Sequence, residues 1–525
     1  MQMRFFSSIF LIFTSFLAFS QEKPANSLVK VTMSDEYENT NNNRTFIEKM
    51  LRDANGNTII IKKSYRIFGK NKTIVESFDP KLDLTYSEEM IIEGTGSVEL
   101  DYVDAYIVDN QPFVFSSYYN KEKDFRYLFA SQILKNGKIG KPKKVSEYPT
   151  TSSRDGGFDI TFSKDSSKLL IVNKIPTKKS ESEKFSFIVL DNKFNEVWKA
   201  KASLPYENRD VVLSDYAIDN SANVFVLATV DGGREVMQEI FQYQNGASGS
   251  KRYKINLRDK IINRLKIMPD ASGKIVCVGQ YSSASEKDNI FRRNRSSTMG
   301  TIFFKIDGDQ TEIIEKSTNE FAAKTFDYFE IRSSRVEKGY GIDNLSLFNV
   351  WISETGNIFL DFEREYFIYT TDYRNNTSRT TYYSQSGLLV KLSPEGKTLS
   401  ETIIPKAMTS INDRTGLYHL VLHRGDETYY VYNDSSRNLK EKIESISDVR
   451  SAFSPEGSAW VFGDRRPTVV CCKIDAEGKR KFAPLFSFKD DDVFLNTENS
   501  LQYDANSFVV IASFLKNFKL VKLDF

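Results

Sequence analysis

The stretch Asp219-Asn220-Ser221-Ala222-Asn223-Val224-Phe225-Val226-Leu227 is a polar turn followed at once by four apolar residues. Asp, Asn and Ser hydrogen-bond their own backbone and tolerate tight conformations, so the first five residues reverse the chain. A short apolar run without polar alternation, bounded by turn residues, reads as a strand buried on both faces. Upstream the signature stands at Asp53 to Asn57 before Thr58 to Ile61, at Asp109 to Pro112 before Phe113 to Phe115, and at Lys164 to Lys168 before Leu169 to Val172. Downstream it stands at Asp270 to Lys274 before Ile275 to Val278, Glu354 to Asn357 before Ile358 to Leu360, Pro455 to Ser458 before Ala459 to Phe462, and Asp504 to Ser507 before Phe508 to Ile511.

The first five copies are 56, 55, 55 and 51 residues apart, and a fixed period of that length marks one supersecondary unit repeated in space. A second turn follows in most units, as at Asp79 to Asp83, Lys135 to Lys138, Asp191 to Asn195, Ser393 to Lys397 and Asp475 to Lys479. Two tight hairpins per unit make four antiparallel strands, which is the blade of a propeller. The predicted fold is therefore all-β, a single β-propeller of eight blades with seven as the alternative count. Predicted blades cover 46–92, 98–147, 158–203, 211–257, 261–316 and 345–404. After them Tyr418 to Asn433 reads as one hairpin, 449–488 as a full blade and 500–525 as three strands, whose missing fourth is expected from Leu28 to Met33. Helical periodicity is nearly absent, while 40 Phe and 26 Tyr crowd short segments.

Thr161 to Leu170 and Ser451 to Trp460 resemble TolB-type and WD-type propeller repeats, in which a Ser-Pro-Asp-Gly-like turn joins the first two strands of a blade. The resemblance implies the fold and no activity, because propellers host unrelated functions. The Asn-, Lys-, Phe- and Ile-rich composition also resembles a Bacteroidota envelope protein.

Residues 1–20 combine Arg4, an apolar run from Phe5 to Phe19 and a small-residue site at Ala18-Phe19-Ser20, the layout of a cleaved signal peptide. The expected domains are this leader, an N-terminal segment over 21–45 that includes the ring-closing strand, and the propeller over 46–525; the expected compartment is the periplasm, with extracellular release as the alternative. Lys plus Arg is 72 against 70 Asp plus Glu, so no global field attracts nucleic acid or an anionic membrane. Cys277, Cys471 and Cys472 are too few for a disulfide framework and read as buried small residues; a vicinal bridge between the last two is opposed by strand alternation.

In such a wheel the second-to-third-strand and inter-blade loops share one face, and there the insertions are long. Ala284 to Met299 carries Arg292, Arg293 and Arg295; Ser317 to Asn344 carries Phe326, Tyr328, Phe329, Arg332 and Arg335; Tyr366 to Ser386 carries Tyr369, Tyr373, Arg374, Arg379, Tyr382 and Tyr383. Arg and Tyr are enriched at recognition surfaces, so these residues are the predicted partner-binding patch; the competing reading is a hairpin that extends outward and covers its own edges. Three Arg-Asp pairs, Arg154-Asp155, Arg209-Asp210 and Arg258-Asp259, precede first strands and are expected as ion pairs at the channel mouth, tying neighbouring blades. Asp490 to Asp492 lacks the alternating ligand spacing of a Ca²⁺ loop.

His419 and His423 are the only histidines; four apart on a strand, they are too distant to share one zinc, and no nucleophile elbow accompanies them. No catalytic constellation, metal site or cofactor is predicted. The expected function is a non-enzymatic periplasmic propeller, monomeric before assembly, that docks on an outer-membrane or periplasmic envelope protein without inserting into the membrane itself. Its concrete form is a subunit of an outer-membrane transport or secretion complex. A glycan-binding or glycan-cleaving propeller is the alternative.

Overall fold

The computed structural model describes residues 28–39, 45–65, 71–93, 99–232, 236–247, 249–255, 257, 259–270, 272–284, 297–307, 313–454 and 466–525. The leader expected over 1–20, Arg258, the Arg292, Arg293 and Arg295 cluster, and the turn from Pro455 to Ser458 with Trp460 lie outside them.

Each blade is built on four antiparallel strands, A to D in chain order for the first seven; Ala452–Phe453 adds a short parallel strand to the edge of blade six, and Tyr37–Glu38 adds a short antiparallel one to blade eight. Blade one is Thr45–Arg52, Thr58–Ser64, Lys72–Phe78 and Leu84–Glu89; blade two is Asp101–Val108, Gln111–Asn120, Phe125–Gln132 and Lys143–Pro149. Blade three is Gly157–Phe162, Lys168–Lys174, Ser182–Asp191 and Glu196–Glu207; blade four is Val211–Ile218, Val224–Asp231, Val236–Tyr243 and Lys251–Ile255. Blade five is Lys260–Pro269, Ile275–Ser283, Gly300–Ile306 and Ile313–Glu320; blade six is Leu345–Ile352, Ile358–Asp372, Thr377–Leu392 and Thr398–Ile411. Blade seven is His419–Arg424, Glu427–Asp434, Thr468–Ile474 and Arg480–Ser487; blade eight is Phe494–Asp504, Ser507–Phe514, Asn517–Asp524 and, from the other end of the chain, Lys30–Met33. The full blade expected over 449–488 is a correction. The hairpin from His419 to Asp434 pairs with Thr468–Ile474, so it supplies the first half of blade seven, and 435–467 is an insertion within that blade.

Most of the recurrent turns hold because one polar side chain satisfies their backbone, a carboxylate in several and the Ser163 or Ser393 hydroxyl in others. Asp219 Oδ1 accepts the Asn223 amide at 2.8 Å and Oδ2 accepts Asn223 Nδ2 at 2.7 Å. Asp53 with Asn57 and Asp191 with Asn195 repeat both bonds. Strand B then runs between two neighbouring blades, which is why its apolar residues are continuous. In blade three Leu169 and Ile171 pack toward blade two, while Leu170 and Val172 pack toward blade four. Vicinal Cys471 and Cys472 divide in the same way, toward blades eight and six, and both are free thiols.

Apolar clusters join each blade to the next, and the last joins blade eight to blade one through Ile60, Phe78, Val509 and Phe518, closing the ring. The segment expected as loop decoration at 317–344 departs from the all-β reading. It contains α1 (Ala323–Tyr328) and α2 (Ser333–Val336), and Phe326, Tyr328 and Phe329 are buried in the core shared by blades five and six.

Candidate functional site

Blade six departs most from its neighbours. Its strands B and C have 15 and 16 residues against 8 and 7 in blade seven, so they run on as a twisted arm for roughly 23 Å beyond the blade. The hairpin extends outward, but Phe367, Ile368, Tyr369 and Tyr373 stay exposed on it rather than covered. Where the sheet becomes the arm, both edges slip. Ser386 is unpaired between Gln385 and Gly387, and Pro405 with Lys406 is unpaired between Ile404 and Ala407. Bulges of this kind re-aim side chains and commonly stand beside functional sites. Pro405, with no N–H to donate, suits such a break in the ladder.

The slip turns Lys406 into the interior, where it is fully buried. Its ammonium binds Glu363 and donates to the Leu417 carbonyl at 2.9 Å. Ser384 Oγ donates to the same Glu363 oxygen. The other Glu363 oxygen lies 3.1 Å from His419 Nδ1, while His419 Nε2 meets Asp361 Oδ2 at 2.8 Å. Tyr430 donates to Asp361 Oδ1 at 3.0 Å. Two acids thus face two bases in a closed, solvent-shielded quartet between blades six and seven. Burial opposes a charge on His419, but Asp361 and Glu363 outweigh it and hold the imidazolium up to about 9. Burial would likewise raise Glu363, yet Lys406 and His419 pull it down to about 2. Among the described residues no serine or cysteine is bound to His419: the nearby Ser384 hydroxyl donates to Glu363, so the described set is not a serine triad.

Above the quartet opens a pocket of about 570 Å³. Asn344 and Ser346 at the start of strand A form one side, Glu365 to Ile368 and Tyr382 to Ser384 the base of the arm, and Arg414, Leu417 and Tyr418 the connection to blade seven. That volume falls in the range of small-molecule sites. Its walls are aromatic: Tyr366 stacks on Tyr383 at 4.7 Å, and the Arg414 guanidinium lies 4.7 Å from the Tyr382 ring centroid. Arg414 lies against Tyr382 and beside Tyr418 and makes no salt bridge within 4 Å among the described residues, while Glu365 and Glu498 feel its charge from farther off. Burial, then the charge of Glu363, raises the Glu365 carboxyl above its ordinary range, against the pull of Arg414 and the Tyr418 hydroxyl. Burial and Glu365 push Tyr418 up to about 12.

The residues singled out from sequence divide among three environments. Tyr382 and Tyr383 line the pocket. Tyr369, Tyr373, Arg374 and Arg379 are exposed on the arm beyond it, Tyr373 at 91 %. Tyr328 is withdrawn from any docking surface, because its hydroxyl is paired with Ser386 at 2.7 Å inside the core. Arg335 lies over the Tyr340 ring at 4.9 Å. Arg154, Asp155 and Asp259 are exposed. Arg209 pairs with Glu207 at 2.8 Å and nears Asp210 at 3.7 Å, within its own connection rather than across to another blade as expected. Asp490 and Asp491 cap the short α3 (Phe488–Asp491): Ser487 Oγ accepts the Asp490 amide, and Asp491 accepts the Ser487 amide at 3.1 Å. His423 stacks on Trp351. Sequence reasoning missed Glu365, Arg414 and Tyr418, which no local motif marks.

No family model matches the chain, and no curated relative does. Among solved structures, a prolyl endopeptidase aligns at 11 % identity over 89 % of this chain and 54 % of its own, with a TM-score of 0.41. An acylaminoacyl peptidase of Pyrococcus horikoshii aligns at 10 % over 74 % and 57 %, TM-score 0.33, and a Synechocystis apocarotenoid oxygenase at 9 % over 93 % and 92 %, TM-score 0.34. The chain spans about half the length of those peptidases. The expectation of a non-enzymatic docking subunit is corrected: the described part of the supposed patch divides into a pocket, a buried tyrosine and an exposed arm. The likenesses are too weak to assign an activity, and no catalytic residues carry over from them.

Proposed function

We propose that this chain binds a small molecule in the pocket where the blade-six arm meets the connection to blade seven. The observation that carries the reading is an aromatic-walled cavity of about 570 Å³ whose guanidinium makes no salt bridge within 4 Å among the described residues. Tyr366, Tyr382, Tyr383 and Tyr418 offer rigid contact area, and the ionic quartet beneath fixes the strands that bear them. The charged start and apolar run of residues 1–20 support export, and we place the binding event in the periplasm.

The test is a thermal-shift screen of the full chain against a metabolite library, run in parallel on S346W, which fills the pocket from strand A. Compounds that raise the melting temperature of the native protein and leave S346W unmoved support the reading. A screen without such a compound rejects it.

A further inference from the structure

We infer that the ligand is an amino-carboxylate of amino-acid or dipeptide size, with its carboxylate on Arg414 and its ammonium on Glu365; this rests on the small-molecule reading above. The two side chains line one cavity together with Tyr418. Arg414 presents a planar donor fork beside the Tyr382 and Tyr418 phenols, and a carboxylate matches that fork in geometry and charge. Glu365 is in the opposite position. It rises from the same strand as Glu363, which takes the direct contacts of Lys406 and His419, so Glu365 feels Arg414 and Lys406 only at a distance and makes no salt bridge within 4 Å among the described residues. The crowding that raises its carboxyl is relieved by an incoming ammonium. One cation and one anion on the wall of the same cavity, neither in a salt bridge within 4 Å among the described residues, complement a zwitterion. A plain anion would leave Glu365 unrelieved, and a plain cation would leave Arg414 unmatched. The stacked Tyr366 and Tyr383 rings supply a surface for an apolar side chain.

Calorimetric titration of the full chain with alanyl-phenylalanine, its N-acetyl derivative and its C-terminal amide tests the assignment. Each blocked form is expected to bind on the order of tenfold or more weakly than the free dipeptide, the usual effect of losing one charge-assisted hydrogen bond. R414Q should make the acid and the amide bind alike, and E365Q should make the free and acetylated amines bind alike. A packing role alone would weaken all three probes together. Equal binding of the three by the native protein, or binding by none, overturns the inference and needs no variant. The small-molecule reading has its own arm, since hits that are lost in S346W sustain it whichever way the dipeptides behave.

Discussion

His419 lies between two carboxylates in the solvent-shielded seam of blades six and seven, and its proton affinity is a stability statement. Its pKa rises from the ordinary 6.5 to about 9 on folding, so its contribution is complete below about pH 6.5 and is lost as pH climbs through 9. Glu363 works in the other direction: depressed from 4.5 to about 2, it contributes above pH 4.5, and that contribution is lost as pH falls through 2. Asp434, pushed by burial from 3.8 up to about 7, favours the folded state below 3.8, and this gain is lost as pH rises through 7. Urea midpoints measured from pH 6.5 to 9 should fall in the native protein and flatten in H419Q; an equal slope in both would remove the imidazolium from the account. Lys406 has no exposure, so K406M strands a buried Glu363 and is expected to cost about 3–5 kcal/mol in the same assay. None of this was legible locally. The sequence excluded a shared zinc for His419 and His423, but the acids that hold His419 come from a strand 56 to 58 positions upstream.

The A–B turns were legible because their physics is local: an Asp or Ser satisfies backbone groups two to four residues on, whatever the sheet packs against. D219A should therefore destabilise by about 1–2 kcal/mol, the cost of two lost hydrogen bonds at a half-closed turn, read from equilibrium unfolding. The sequence leaves the arm of blade six as a choice between a docking patch and an outward hairpin that covers its own edges, since strands rich in Tyr and Arg fit either. Its register makes the choice testable. Tyr369 faces Thr380, so residues 370–379 can be replaced by Asn-Gly as a two-residue turn. This removes Tyr373, Arg374 and Arg379 but keeps the tie in which the Thr380 amide donates to Asn412 Oδ1. Melting temperature and ligand binding should both be retained; loss of binding would mean that the outer arm belongs to the site. The bulges at Ser386 and at Pro405-Lys406 were not legible, because a slip in pairing depends on the partner strand and leaves no residue pattern of its own.

Around the whole ring, seven blades are continuous in sequence and the eighth takes its outer strand from Lys30–Met33. That strand covers the edge of Asn517–Asp524, while Tyr37 packs between Phe78 and Phe518 across the seam of blades one and eight. A chain beginning at residue 40 should melt at lower temperature and self-associate through the bared edge, as followed by scanning calorimetry and light scattering. A monomer with unchanged melting would deny the strand its closing role. The sequence by itself determined the four-stranded unit, its repetition and the all-β class, because turn chemistry and continuous apolar strands operate within some fifty residues. It did not determine which half-blades join, as the division of blade seven around 435–467 makes plain. Nor did it determine the pocket. Arg414, Glu365 and the tyrosines meet only where an arm, a bulged edge and an inter-blade connection converge, and that meeting depends on the closing of the wheel rather than on neighbours in the chain.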